Sequence, residues 1–148
     1  MEHVIRSLDL IQEHLESEGL QYSYRLDTDV VSFFYCGIKM NFFIVDDTLW
    51  CLSHSEYVLS IDAVVKAAIL DSLEGSVFSR PVPNDTTNTV KFKSVTYMPD
   101  PGIYGKELFP KLIREIAGSV FIFRQKYIYY QQLMMEVVPG TQEYKFKS

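Results

Sequence analysis

Between Tyr22 and Ser53 the chain repeats one pattern: a strand-like run, a very short polar turn, another run. Tyr22–Leu26 leads into Asp27-Thr28-Asp29, Val30–Cys36 into Gly37, Ile38–Val45 into Asp46-Asp47, and Thr48–Ser53 follows. Asp side chains bond their own backbone in turns, and glycine supplies the conformations that tight reversals need. Connections this short cannot carry a parallel crossover, so consecutive runs must pair antiparallel, as a meander. In the third run Ile38, Met40, Phe42 and Ile44 alternate with Lys39 and Asn41, which gives one apolar and one polar face.

Helices flank this run. Val4, Leu8, Ile11 and Leu15 recur on one helical stripe, and Gly19 reads as the glycine that ends the helix. After the meander, Ser60 is read as an N-cap with Asp62 in the first turn. Ile61, Val64, Val65, Ala68, Ile69 and Leu73 make the apolar stripe of that middle helix, and Gly75 is its stop. Residues 76–88, with Pro81, Pro83, Asn84, Asp85 and Asn88, read as a polar loop. Thr89–Met98 returns to strand; its apolar residues change parity after Phe92, which predicts a bulge near Ser94. A final helix is expected from about Lys106 to Glu136, with Pro110 in its first turn or at a kink. Residues 139–148 read as a polar tail beyond a single 1–138 domain.

The order implies an α+β fold, an antiparallel meander sheet with N-terminal, middle and long C-terminal helices packed on it. A chain of 148 residues buries roughly 68–70% of its unfolded surface and needs no metal or disulfide staple. Cys36 and Cys51 lie in apolar runs and are expected to be buried free thiols. The net charge of −5 argues against a nucleic-acid partner. Charges are interspersed through the N-terminal residues and no apolar run reaches membrane-spanning length. These features predict neither a leader nor a membrane segment, and a cytoplasmic protein.

Chemistry is sparse. His3, His14 and His54 form no metal-ligand spacing, and no phosphate-loop fingerprint occurs; no cofactor is expected. The densest polar cluster is Ser53-His54-Ser55-Glu56, and Ser53, His54 and Glu56 are the only visible catalytic candidates. The pairs Asp27/Asp29 and Asp46/Asp47 sit in turns, where Asp is favoured for conformational reasons. Lys91-Phe92-Lys93 and Arg124-Gln125-Lys126-Tyr127 read as solvated faces.

The last helix carries more apolar residues than one core face needs. Phe109, Leu112, Ile113, Ile116, Val120, Phe123, Tyr127, Tyr130 and Met134 share one broad face. Phe121, Ile122, Ile128, Tyr129 and Met135 fall outside it and are the candidate partner-binding residues. The consistently polar strip is confined to Glu107, Arg114, Gln125 and Gln132.

The layout resembles the YbjN-like family, whose domain is similar to the type III secretion chaperones. The resemblance runs through Glu18-Gly19-Leu20, Tyr22-Ser23-Tyr24, Val31-Ser32-Phe33, the reversal at Gly37, Lys91-Phe92-Lys93-Ser94-Val95, and the helix Glu107–Tyr127 with Phe109 and Phe123. It implies an α+β fold without catalytic residues, associated with regulation or with binding other polypeptides, commonly as dimers. The leading expectation is therefore a non-enzymatic interaction or chaperone-like domain that binds a polypeptide, or itself, through the last helix. The alternatives are a small-molecule-sensing module with an aromatic pocket between sheet and helices, and an enzyme built on Ser53, His54 and Glu56.

Overall fold

The computed structural model describes residues 2–46, 49–73, 79–97 and 101–137. The elements run α1 (Glu2–Ser17), β1 (Tyr22–Arg25), β2 (Val30–Tyr35), β3 (Ile38–Asp46), β4 (Leu49–Tyr57), α2 (Ala63–Ser72), β5 (Ser79–Asn84), β6 (Thr89–Tyr97) and α3 (Pro101–Val137). The strands form a six-stranded antiparallel sheet in the order β1-β2-β3-β4-β6-β5. The meander is thus followed by a hairpin that returns its second strand to β4.

Local chemistry sets the boundaries. Gly19 has φ 71°, and its N–H donates to the Glu16 carbonyl while the Leu20 N–H donates to Leu15. This is the paired-bond stop that a left-handed residue makes possible. Cys36 and Gly37 both have positive φ, which turns β2 directly into β3. The N-cap of α2 is Asp62, whose carboxylate accepts from the Val65 N–H at 3.0 Å, two residues later than the expected Ser60. The expected stop at Gly75 lies outside the described residues, as does the 139–148 tail.

Core residues alternate along every strand. Val31, Phe33, Ile38, Met40, Phe42, Trp50, Leu52, Val90 and Phe92 point to one face. They meet Ile11 and Leu15 of α1, Val65 and Ala68 of α2, and Phe109, Leu112, Ile116, Val120 and Phe123 of α3. All three helices therefore cover the same face, with α3 between α1 and α2. Phe109 is the hub: its ring stands edge-on to Phe42 at 5.2 Å and also contacts His14 and Trp50. Among the described residues, no helix lies on the opposite face of the sheet.

Four expectations need correction. Residues 79–84 are an edge strand rather than loop. Prolines mask such a strand in sequence, yet an edge tolerates them because its outer side has no ladder to break. No bulge occurs at Ser94, where pairing with β4 and β5 is continuous; Val95 and Tyr97 simply lie on the open face. The register shift falls instead between Ile44 and Asp46. Cys36 is exposed because it sits in the turn, while Cys51 is buried as expected. Finally, α3 begins at Pro101 and contains Pro110 well inside it. Proline suits a first helical position, so Pro101 opens the helix.

Candidate functional site

The length of α3 decides where its surplus apolar residues go. Its 37 residues span about 55 Å, whereas the longest strands, of 9 residues, span about 30 Å. The helix must outrun the sheet. Its buried residues stop at Phe123, and Tyr127 and Tyr130 are only half-buried. Beyond them α3 has α2 as its neighbour, held by Asp71: Lys126 Nζ lies 3.3 Å from Asp71 Oδ2, and the Tyr130 hydroxyl donates to the same oxygen at 3.1 Å.

A groove of about 510 Å³ opens between the start of α2 and the last turns of α3. Ala63 and Val64 form one wall, and Tyr127, Ile128, Gln131, Met134 and Met135 the other. Phe121, Ile128 and Tyr129 are exposed by 41%, 54% and 53%, and Ile122 and Met135 are half-buried. Phe121, Ile128 and Met135 recur every seventh residue, an interval that drifts only about 20° per repeat and so keeps them on one side of the helix. Ile122 and Tyr129, one position on, lie about 100° further round the helix. Of the five candidates, Ile128 and Met135 line the groove. Phe121 lies nearer the sheet, with the Arg124 guanidinium 5.9 Å from its ring centre.

Met134 was expected in the core face and is instead 48% exposed, since the buried stretch of α3 ends, among the described residues, at Phe123. Val64, expected in the apolar stripe of α2, lines the groove, and Leu133, which was not singled out, is 37% exposed on α3. Comparing helix length with strand length would have pointed to Leu133 and Met134.

The catalytic candidates do not assemble. The pleat sends His54 and Glu56 to the helix face and Ser53 to the open face, where it pairs with Asn41 and Lys93. Nδ1 of His54 lies 2.6 Å from the Lys39 carbonyl, an acceptor, so Nδ1 carries a proton; Nε2 is 3.2 Å from Glu56 Oε1. Arg124 reaches the same carboxylate through Nε to Oε2 and through Nη2 to Oε1, the latter at 2.9 Å. Burial alone would raise the Glu56 pKa, but hydrogen bonds from Arg124 and then His54 outweigh it and bring the value to about 2. The cluster ties α3 to β4 and holds no nucleophile.

The aromatic residues between sheet and helices are packed against one another: Phe33, Phe42, Trp50, Phe92, Phe109 and Phe123 are each almost fully buried. They are core rather than the lining of an open pocket. Among the described residues, no group of three or more His, Cys, Asp or Glu is placed to hold a metal ion, and no helix is long and apolar enough to cross a membrane.

No family model matches the sequence, and no curated protein matches it either. Solved structures do match its fold. YbjN from E. coli, a proposed transcription regulator, superimposes with a TM-score of 0.60 at 12% identity, covering 82% of this chain and 92% of that one. The Yersinia pestis type III secretion chaperone SycH, solved in complex with a stable fragment of YscM2, gives a TM-score of 0.55 at 11% identity over 78% of this chain and 98% of its own. An uncharacterised protein from Methanothermobacter thermautotrophicus gives 0.55 at 14% identity, covering 85% and 97%. The chain thus has a YbjN-like, type III secretion chaperone-like fold, as its layout suggested.

Proposed function

We propose that this protein is a non-enzymatic, chaperone-like or regulatory domain that seats an amphipathic helix of a polypeptide partner on the free end of α3. The observation that carries this reading is the partly exposed seam of Ile128 and Met135 where α3 outruns the sheet, continued toward the sheet by Phe121 and bordered by a groove that Ala63 and Val64 wall on the other side. Seven-residue spacing is the pattern that a second helix fits. Methionine and tyrosine, abundant here, adapt to partners by repacking.

The competing route, addition of a strand to a sheet edge, is blocked at β5. Pro81 and Pro83 alternate with Arg80 and Val82, so Arg80 and Val82 are the residues whose N–H groups serve the ladder to β6. The outward positions are then the two prolines, which have no N–H to offer an incoming strand. That SycH was solved with a fragment of another polypeptide is consistent with a binding role on this fold. A free and exposed Cys36 suits a reducing compartment, which favours the cytoplasm.

The test is a photo-crosslinking residue placed at Tyr129, with Glu107 on the polar strip as control, in the native host. The reading expects a discrete adduct from position 129 alone, with a polypeptide whose purified form binds the purified chain. An adduct only with a second copy of the chain would make the surface a homodimer interface. Equal labelling from both positions contradicts the reading.

A further inference from the structure

The open face of the sheet is chemically unlike the rest of the molecule. Register places Arg25 of β1, Lys39 of β3, Lys91 and Lys93 of β6, and Arg80 of β5 on it, all exposed. Among the strand residues whose side chains are described, none on this face is a carboxylate, although the whole chain carries 19 Asp and Glu. None of these cations forms an ion pair with a described residue; the carboxylates of β4 and of the helices lie on the other side. Arg80 and Lys93 are directly opposed across β5 and β6, an arrangement that destabilises a sheet unless something anionic sits above it. Their field is felt at Cys51, where burial raises the thiol pKa while Lys93 and Lys91 lower it.

Aromatic rings share this face. Phe34 is 59% exposed, Tyr57 80% and Tyr97 68%, and Phe43 lies nearer the centre with the Lys93 ammonium 5.9 Å from its ring. Between the cations runs a row of short polar side chains, Ser23–Ser32–Asn41–Ser53, joined by register to Lys93 and Arg80; Ser32 Oγ donates to Asn41 Oδ1 at 2.7 Å. The net charge of −5 conceals this segregation, because the strand and helix carboxylates whose side chains are described lie elsewhere.

We infer that the open sheet face binds single-stranded nucleic acid, with Lys39, Lys91, Lys93 and Arg80 on phosphates and Phe34 and Tyr57 as stacking surfaces for bases. Charge complementarity selects an anion, and the rings select among anions. Flat aromatic faces stack on bases regardless of sequence, whereas the carboxylate side chains of an acidic peptide carry no ring to stack. The hydroxyl and amide groups of Ser23, Ser32 and Asn41, the accessible members of the central row, supply hydrogen bonds to sugars and base edges.

The experiment is fluorescence anisotropy of the purified full chain with labelled oligothymidylate and oligouridylate, titrated against salt, with polyglutamate as a competing anion. At physiological salt the inference expects dissociation constants between about 1 and 100 µM, the range of non-specific electrostatic binding, and tighter binding at low salt. The Lys91→Glu/Lys93→Glu variant, with unchanged far-UV circular dichroism, binds at least about tenfold more weakly, and its log–log salt slope falls by about 1.4, since each single-strand phosphate contact contributes about 0.7. Phe34→Ala, which alters no charge, weakens oligonucleotide binding and leaves polyglutamate unaffected. Ile128→Asp/Tyr129→Asp leaves oligonucleotide binding intact, which separates this surface from the end of α3. The inference is overturned by absence of oligonucleotide binding at low salt, or by binding that survives Lys91→Glu/Lys93→Glu. It is equally overturned if polyglutamate binds as tightly and Phe34→Ala changes neither ligand, which would make the face an acceptor of acidic polypeptides.

Discussion

Arg124 grips the Glu56 carboxylate with two parallel hydrogen bonds, one from Nε to Oε2 and one from Nη2 to Oε1, and so fastens α3 to β4 across 68 residues of chain. Planar fork-to-carboxylate geometry of this kind resists rotation as well as separation. It sits where α3 is about to leave the sheet, between Phe121 and the other two seam residues, Ile128 and Met135. The position of that seam relative to the core depends on this joint.

The joint should give the fold an acid-sensitive component. Glu56 titrates at about 2 in the folded protein, below the ordinary 4.5. A depressed folded value means stability that is fully present above the unfolded pKa and is lost as pH falls from about 4.5 toward 2. Allowing for the partial exposure of Arg124, Glu56→Gln should cost about 2 kcal/mol at pH 7 and much less near pH 2. Urea denaturation of both proteins across that range checks this; a difference independent of pH would contradict it.

The two groups of aromatic and aliphatic residues on α3 should separate cleanly in stability. Phe123 is buried and stacks with Tyr127 at 6.1 Å, so Phe123→Ala should cost about 3–5 kcal/mol. Ile128→Asp and Tyr129→Asp, beyond the sheet, should each change stability by no more than about 0.5 kcal/mol. Thermal denaturation monitored by circular dichroism distinguishes them. A large loss at Ile128 would mean that its side chain is covered within the folded chain.

Much of this architecture was legible from residues 22–53, because turn chemistry and alternation leave an antiparallel meander as the only short-range solution. Gly19 as a helix stop and Phe109 through Phe123 as a core stripe were equally readable. What failed to show had physical reasons. Pro81 and Pro83 argue against a strand locally, and only the tertiary position of an edge admits them. Met134 fits the helical core stripe, but periodicity reports which side a residue faces and not whether anything lies beneath it. Ser53 and His54 are adjacent in sequence and on opposite faces in space, so their apparent cluster dissolved once the pleat was known. The basic open face was hidden because net charge averages over surfaces that the fold keeps apart.

The proline edge carries its own prediction. Pro81→Thr/Pro83→Val restores outward N–H groups on β5 and removes the barrier to edge-to-edge pairing. The variant should form concentration-dependent oligomers or aggregates, detectable by light scattering, under conditions where the wild-type chain does not change. Identical behaviour of the two would show that the prolines are not what protects this edge.

The claim that the end of α3 is a partner-binding surface is tested most directly by calorimetric titration of the crosslinked partner, once purified, into the wild-type chain and into Ile128→Asp/Tyr129→Asp. The account predicts wild-type binding with a negative heat-capacity change, the mark of apolar burial, and at least about a tenfold loss in the variant at unchanged stability. Equal affinity for the two proteins would contradict it.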